Sequence, residues 1–369
     1  MGILVAAAAL FFGFGTAWLV SHDVRYLTRA GLEEVEILWN ARPLEKVLAD
    51  PATSAETRAW VGLVQASRDF AQQIGYEAGE TYTTYTDVGR DTLLLVVSAS
   101  ARECICPQVW KYPIVGRIPY KGFFDPAMAH REAERFRQRG MDVYLRPAAA
   151  FSTLGWFNDP LLSTAMVRDS VELAALVFHE IAHNTLYVRS ATPFNESFAQ
   201  LAGYRAAEAF FRSRGDSALA QRAADRWADE IVLGEYYSAF VGRLEEFYAT
   251  RPGPEALDSG RADLARWSRE QLQGAYGPRL RTYRVDNLAE RPINNAQLVG
   301  VRIYRTHLDW FEAWFQRHEG EIATAVRALR ELMDGAEGDE AFTRLSQSLG
   351  QAGVAPPLSP SPQPLPSQP

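Results

Sequence analysis

Residues 179–183 read His179-Glu180-Ile181-Ala182-His183, two histidines four apart with a carboxylate between them. On an α-helix, residues at i and i+4 lie one above the other, so both imidazoles can reach a single ion. Zinc is the usual ion for this pair. Glu180 stands one step round the helix, where its carboxylate can touch a water on the open side of that ion and take its proton. Two neutral imidazoles, a bound water and a base beside it make up a metal-assisted hydrolysis. Metal binding alone would have no use for Glu180.

The neighbouring residues must build the helix that aims these groups. Asp169 and Ser170 offer oxygens for an N-cap, and Glu172 sits where a capping box places its carboxylate. Leu173, Leu176 and Val177 give the helix an apolar face, and the run 184–191 is expected to finish it and turn. Thr192-Pro193 then reads as an N-cap with proline at the first helical position. So short a connection makes the two helices antiparallel neighbours. Glu196, one turn into the returning helix, comes to about the height of His183 and can supply a third ligand. Its alternative reading is a surface carboxylate favoured by the helix dipole, and Glu208 is the second choice as ligand.

The pairing of HEIAH with Asn195-Glu196-Ser197-Phe198-Ala199 resembles the gluzincin metallopeptidases, whose third zinc ligand is a glutamate in an Asn-Glu pair. A wider set of segments resembles the predicted zinc aminopeptidase family of Gram-negative bacteria: Phe151–Pro160, the HEIAH helix, Phe194–Ala199 and Pro292-Ile293-Asn294-Asn295-Ala296. The similarity extends from about Leu44 to about Trp314. It implies one zinc held by His179, His183 and Glu196, Glu180 as general base, and a peptide substrate. By the same resemblance the stretch before the zinc helix, Ser152, Thr153, Leu154, Gly155 and Trp156, pairs with the substrate backbone; a tight turn with Trp156 in the core is the other reading. The tetrahedral oxyanion is expected to take a proton donor from the C-terminal helices, Tyr304 first and His307 second, although periodicity alone puts Tyr304 in the core. Asn294 and Asn295 either anchor substrate or cap the next helix. No carboxylate for a free substrate amine is identifiable beyond Glu172 and Asp159, placed by position only, so an endopeptidase or amidase with the same site remains an alternative. A zinc-stabilised binding module or a scaffold without catalysis is a further one.

Composition bounds the rest. Over 369 residues the charge is −7, with no basic block, which argues against nucleic acid as a partner. Residues 3–20 are uncharged and almost wholly apolar, so residues 1–21 are expected to be a membrane anchor or a signal segment. That would put the body in the bacterial cell envelope, anchored to the inner membrane and facing the periplasm, or free in the periplasm after cleavage. Residues 352–369, rich in proline and serine, are expected to be a disordered tail. Cys104 and Cys106, two apart, would close a very small ring and are expected to be free or buried thiols. Family members often carry a cysteine pair further on, at positions that are Lys111 and Arg117 here.

The expected architecture is α+β and mostly helical, one metallopeptidase unit over 22–351. Residues 22–168 supply helices and a small mixed sheet, and 169–351 supply the zinc-site helices and a helical bundle. Residues 24–50 read as one helix with Leu32, Val35, Leu38 and Trp39 on one side. A second helix starts near Thr53 with Glu56 completing a capping box. Tyr76–Arg90 reads as a loop. Strands at 92–97, 109–115 and 142–145, with a helix over 125–139, suggest a parallel crossover. Later helices are expected at 262–272, 297–315 and 323–333, with a seam of Leu233, Tyr237, Phe240, Leu244 and Phe247 marking a bundle helix.

Overall fold

The computed structural model describes residues 15–16, 18–112, 116–148, 160–166 and 169–350. The expected substrate strand Ser152–Trp156, the Pro-rich tail and most of the apolar N-terminal segment lie outside these residues. The chain is α+β and mostly helical, with small mixed sheets, as its periodicities predict.

The first half holds the sheets. Helix α1 (His22–Trp39) is separated from α2 (Leu44–Ala49) by the two-residue strand β1 (Arg42–Pro43), so 24–50 is not one helix. Pro43 disfavours helical backbone at Arg42, and the chain pairs instead with β2 (Thr84–Thr86), Arg42 opposite Tyr85. Helix α3 (Ala55–Gln73) is capped by Ser54, whose hydroxyl accepts from Thr57 N, one residue later than the expected start. The expected loop at 76–90 contains β2, and Tyr76, Tyr82 and Tyr85 are buried in the main core.

In the larger sheet β3 (Leu94–Ser100) lies between β6 (Lys121–Phe123) and β7 (Asp142–Ala148), antiparallel to both. Strands β6 and β7 therefore run parallel to each other and are joined by α4 (Pro126–Gln138). The crossover exists, but it straddles β3, and every hydrogen-bonded pair in this sheet is antiparallel. Lys111 of β4 (Trp110–Tyr112) pairs with Arg117 of β5 (Gly116–Ile118) in an antiparallel register. β8 (Leu161–Leu162) runs parallel to β2.

Cys104 and Cys106 are joined in a disulfide, contrary to the expectation of thiols. The turn that carries them holds their Cα atoms 5.2 Å apart, inside the range a disulfide spans. Ser100 Oγ donates to the carbonyls of both cysteines, and Ala101 N donates to Cys106 O.

The second half is helical. Helices α5 (Ser170–Thr185), α6 (Thr192–Ser213) and α7 (Ser217–Ala249) pack in sequence, with α3 laid on α5. Helix α8 starts at Pro254 and runs to Gln271, so the expected loop at 251–260 is much shorter, and the short helix α9 (Val285–Ala289) follows. The seam of α7 shares one core with Leu298, Val299 and Ile303 of α10 (Asn295–Tyr304), which makes α7 a bundle helix. The helix expected over 297–315 is broken at 305–307, and α11 (Leu308–Arg317) follows after His307 turns into the left-handed region at φ 52°. Helix α12 (Ile322–Leu332) packs with α11 and α6, and α13 (Glu340–Ser348) completes the main core.

No helix among the described residues is long and apolar enough to cross a membrane; the segment 3–20, expected to be an anchor or a signal, lies mostly outside them. The apolar side read on α1 does not face the core. Leu27, Leu32, Val35 and Trp39 are exposed, and Tyr26, Glu33 and Ile37 form its buried side.

Candidate metal centre and cleft

Asp169 caps α5, its Oδ1 accepting from Val171 N at 3.0 Å and Glu172 N at 3.4 Å. Glu172 does not close the expected capping box. It accepts from the Tyr204 hydroxyl at 3.0 Å and pairs with Arg226 at 2.9 Å, so its carboxylate is already engaged. The helix ends at Thr185, earlier than expected, because Leu186 turns to extended backbone. The loop to α6 is then held by one side chain. Buried Asn195 accepts from Val188 N at 2.9 Å and donates to Val188 O at 2.8 Å. That bidentate grip sets the first turn of α6, and the next residue is Glu196. Thr192 is the first helical residue rather than the cap, with Ala191 before it.

The two helices cross closely at Gly203, where an added Cβ would lie 2.7 Å from Ala175 O and 3.3 Å from His179 Cβ. The approach brings Glu196 Oε2 to 3.3 Å from His179 Nε2 and 3.8 Å from His183 Nε2. Ligand atoms of the three residues all lie within 4.8 Å of one another. Donors about 2.1 Å from one tetrahedral centre stand about 3.4 Å apart, so this His-His-Glu group fits a metal ion. Burial opposes charge on His179. Its hydrogen bond to Glu196, the charges of Glu180 and Glu196 and the Ala199 backbone outweigh burial and hold its pKa above the ordinary value. His183 is pushed down to about 4 by burial and by neighbouring His179. Its Nδ1 is buried and has no hydrogen-bond partner among the described residues. Glu180 is half-buried beside them.

The opposite wall comes from α10 and the sheet. Thr306 N, just past α10, donates to Ser197 Oγ at 3.2 Å, which ties the end of that helix to the residue after Glu196. Tyr304 lies within electrostatic reach of Glu196, Tyr120, Arg146 and Glu180. Burial first, then the two carboxylates, push its pKa up, so its hydroxyl keeps its proton. Tyr120, although 40% exposed, is also raised, by the protein packed around it and by Glu196, against the opposing charge of Arg146. Tyr304 thus lies within electrostatic range of Glu180 and Glu196, beside the His-His-Glu group. Tyr120 and Arg146 belong there too and carried no sequence signal, since neither sits in a motif.

Other candidates lie elsewhere. His307 stacks flat on Trp310 with centroids 3.7 Å apart. Glu208 is held between Arg205 and Arg212. Asn294 caps α10 in a capping box with Gln297 and donates to Val143 O at 3.0 Å. Asn295 is buried, with its amide nitrogen on the carbonyls of Ala101, Arg102 and Cys104 and its oxygen accepting from Tyr248. These bonds occupy Asn295 fully and correct its reading as a substrate anchor. Arginines of the stretch 279–284 pair with the protein's own carboxylates, Arg279 with Glu235 among them. Asp229 accepts from the backbone N–H groups of Arg281, Thr282 and Tyr283, and Arg281 pairs with Asp225.

The helix pair brings together a His-His-Glu group that could hold a metal ion. The family model described as "Putative aminopeptidase" matches residues 25–343, and the chain belongs to that family. Peptide hydrolysis is the activity the family implies. No curated protein and no solved structure matches the chain.

Proposed function

We propose that the protein is a zinc-dependent peptidase of gluzincin type, working as an aminopeptidase. The observation that carries this reading is the convergence of His179, His183 and Glu196 with Glu180 alongside. When bound, zinc would polarise the scissile carbonyl and lower the pKa of its water to about 7. His183 stays neutral down to a pH of about 4, which leaves its Nε2 lone pair free to hold the ion. Glu180 takes the water's proton and delivers it to the leaving amine. Tyr304, kept protonated by burial, donates its O–H to the developing oxyanion. Residues Ser152–Trp156, ahead of the metal helix, are proposed to pair with the substrate backbone. The aminopeptidase assignment rests on family membership. A periplasmic place in the cell envelope is proposed from the leader-like segment 3–20, and the Cys104–Cys106 disulfide agrees with an oxidising compartment.

The test compares wild type with Glu180→Gln for metal content by elemental analysis and for turnover of aminoacyl amides and N-blocked peptides. Both proteins should hold about one zinc, and Glu180→Gln should lose on the order of 10²–10⁴ in kcat. Cleavage of blocked peptides would keep the chemistry and move the specificity to endopeptidase or amidase. Equal turnover by both proteins would remove Glu180 as the base, and absence of zinc from both would remove the ligand assignment.

A further inference from the structure

Strand β7 alternates between two environments. Val143 and Leu145 pack into the core with α4. Asp142, Tyr144 and Arg146 point to the other face by the two-residue period of a strand. Asp142 shows where that face looks, since its Oδ2 accepts from Asn295 N, the first residue of α10, at 3.0 Å. From that anchor α10 packs along β3 and β7 and reaches α6. Its ten residues advance about 15 Å, the distance of four or five strand residues at about 3.3 Å each. The far end, with Tyr304, therefore draws level with Arg146, and Thr306 is bound there to Ser197 beside Glu196. The mutual influence of Arg146, Tyr120, Tyr304 and Glu196 agrees with this placement.

Arg146 differs from four other half-buried arginines. Arg205, Arg226, Arg261 and Arg305 each face a carboxylate. Arg146 has no carboxylate partner among the described residues. A guanidinium offers two parallel N–H donors that match a carboxylate, and one held in a cleft beside a metal group is placed to receive that carboxylate from outside.

We propose that Arg146, with the Tyr120 hydroxyl beside it, binds a carboxylate of the substrate, so that the cleft prefers anionic peptides. The inference rests on the reading of this cleft as a peptidase site. The carboxylate comes either from the free C-terminus of a short peptide or from an acidic side chain next to the scissile bond. Both present the same group to Arg146.

Two matched pairs of probes separate these sources: leucylalanine against leucylalaninamide, and the C-terminal amide of leucylaspartate against that of leucylasparagine. In zinc-loaded full-length protein, one pair should show at least a tenfold preference in kcat/KM for the carboxylate member. Arg146→Gln should reduce that preference at least tenfold, and Arg146→Lys should restore part of it. Calorimetric binding of the same four probes to Glu180→Gln protein, with and without Arg146→Gln, reads the preference where nothing is turned over. Circular dichroism and melting temperature establish that each variant is folded. No preference in wild type for either pair, in turnover or in binding, would overturn the proposal. So would an equal loss for both members of a pair in folded Arg146→Gln and Arg146→Lys, which would mark Arg146 as a positioning residue. If wild type cleaves none of the probes, the peptidase reading is in trouble, while the binding ratios still decide the role of Arg146.

Discussion

His307 shows how one residue can look catalytic in a sequence and do something else in a fold. It occupies a left-handed backbone conformation between α10 and α11, its ring lies flat on the Trp310 indole, and its Nε2 is buried with no partner among the described residues. Burial pushes its pKa down to about 4. In the unfolded chain an imidazole titrates near 6.5. Between these values the unfolded chain binds a proton that the folded protein does not, so stability rises with pH across this window. The contribution is complete above about pH 6.5 and is lost as pH falls towards 4. Its upper bound is about 3 kcal/mol, and partial exposure of the ring brings it to about 2 kcal/mol. Denaturant titrations of metal-free protein at pH 7 and 4.5 should show a smaller loss in His307→Asn than in wild type, because asparagine tolerates the left-handed backbone and carries no titrating ring. His183 titrates in both proteins and cancels in the comparison. An equal loss in both would assign the acid sensitivity to other groups.

Among the elements, the crossing of α5 and α6 decides whether the metal group exists. Gly203 allows α6 to approach the backbone of Ala175 and the Cβ of His179, and Glu196 reaches the histidines only at that separation. Gly203→Ala would force the helices apart. The expected cost is about 1–3 kcal/mol, with weaker zinc binding because His179 sits at the contact. Gly300, inside α10, is the control, since an added Cβ there meets nothing within 4 Å. Gly300→Ala should leave zinc affinity unchanged and raise stability by up to about 1 kcal/mol through helix propensity. Melting temperature and competition with a chelator measure both effects. Equal behaviour of the two variants would mean that the crossing is not what sets the ligand geometry.

Across the whole molecule, the first half and the helical half share the main apolar core, and polar ties around the start of α10 join the sheet to the helices as well. Asn295 links three carbonyls of the disulfide turn to the Tyr248 hydroxyl of α7, and Arg261 of α8 pairs with Asp142 of β7. Asn295→Ala leaves those carbonyls and that hydroxyl without their partner in a buried place. A loss of about 2–3 kcal/mol is expected, read as a lower midpoint in urea, while KM for a cleaved peptide stays the same. A changed KM at unchanged stability would return Asn295 to the substrate site. The join also matters for the proposed function, because it sets Arg146 and Tyr120 of the first half within electrostatic range of Glu196 and Tyr304 in the second.

The sequence by itself determined the metal helix, its Asp169 cap, the returning helix with Glu196, the α+β and mostly helical class, and the bundle seam of α7. All of these depend on spacings of a few residues, and helical period and ligand chemistry act over that range. Other features depend on partners far along the chain. Asn294 and Asn295 looked alike on paper, and the carbonyls of 101–104 and 143 made both structural. The break at 305–307 separated Tyr304 from His307, sending one to the cleft and the other under Trp310. Leu32, Val35 and Trp39 kept an apolar spacing but were left facing outward, because the core took the other side of α1. Arg146 belonged to no motif, and its role depends on which face of β7 meets α10. That face is set by strand register, since a slip of one residue would turn Arg146 into the α4 core and Leu145 into the cleft.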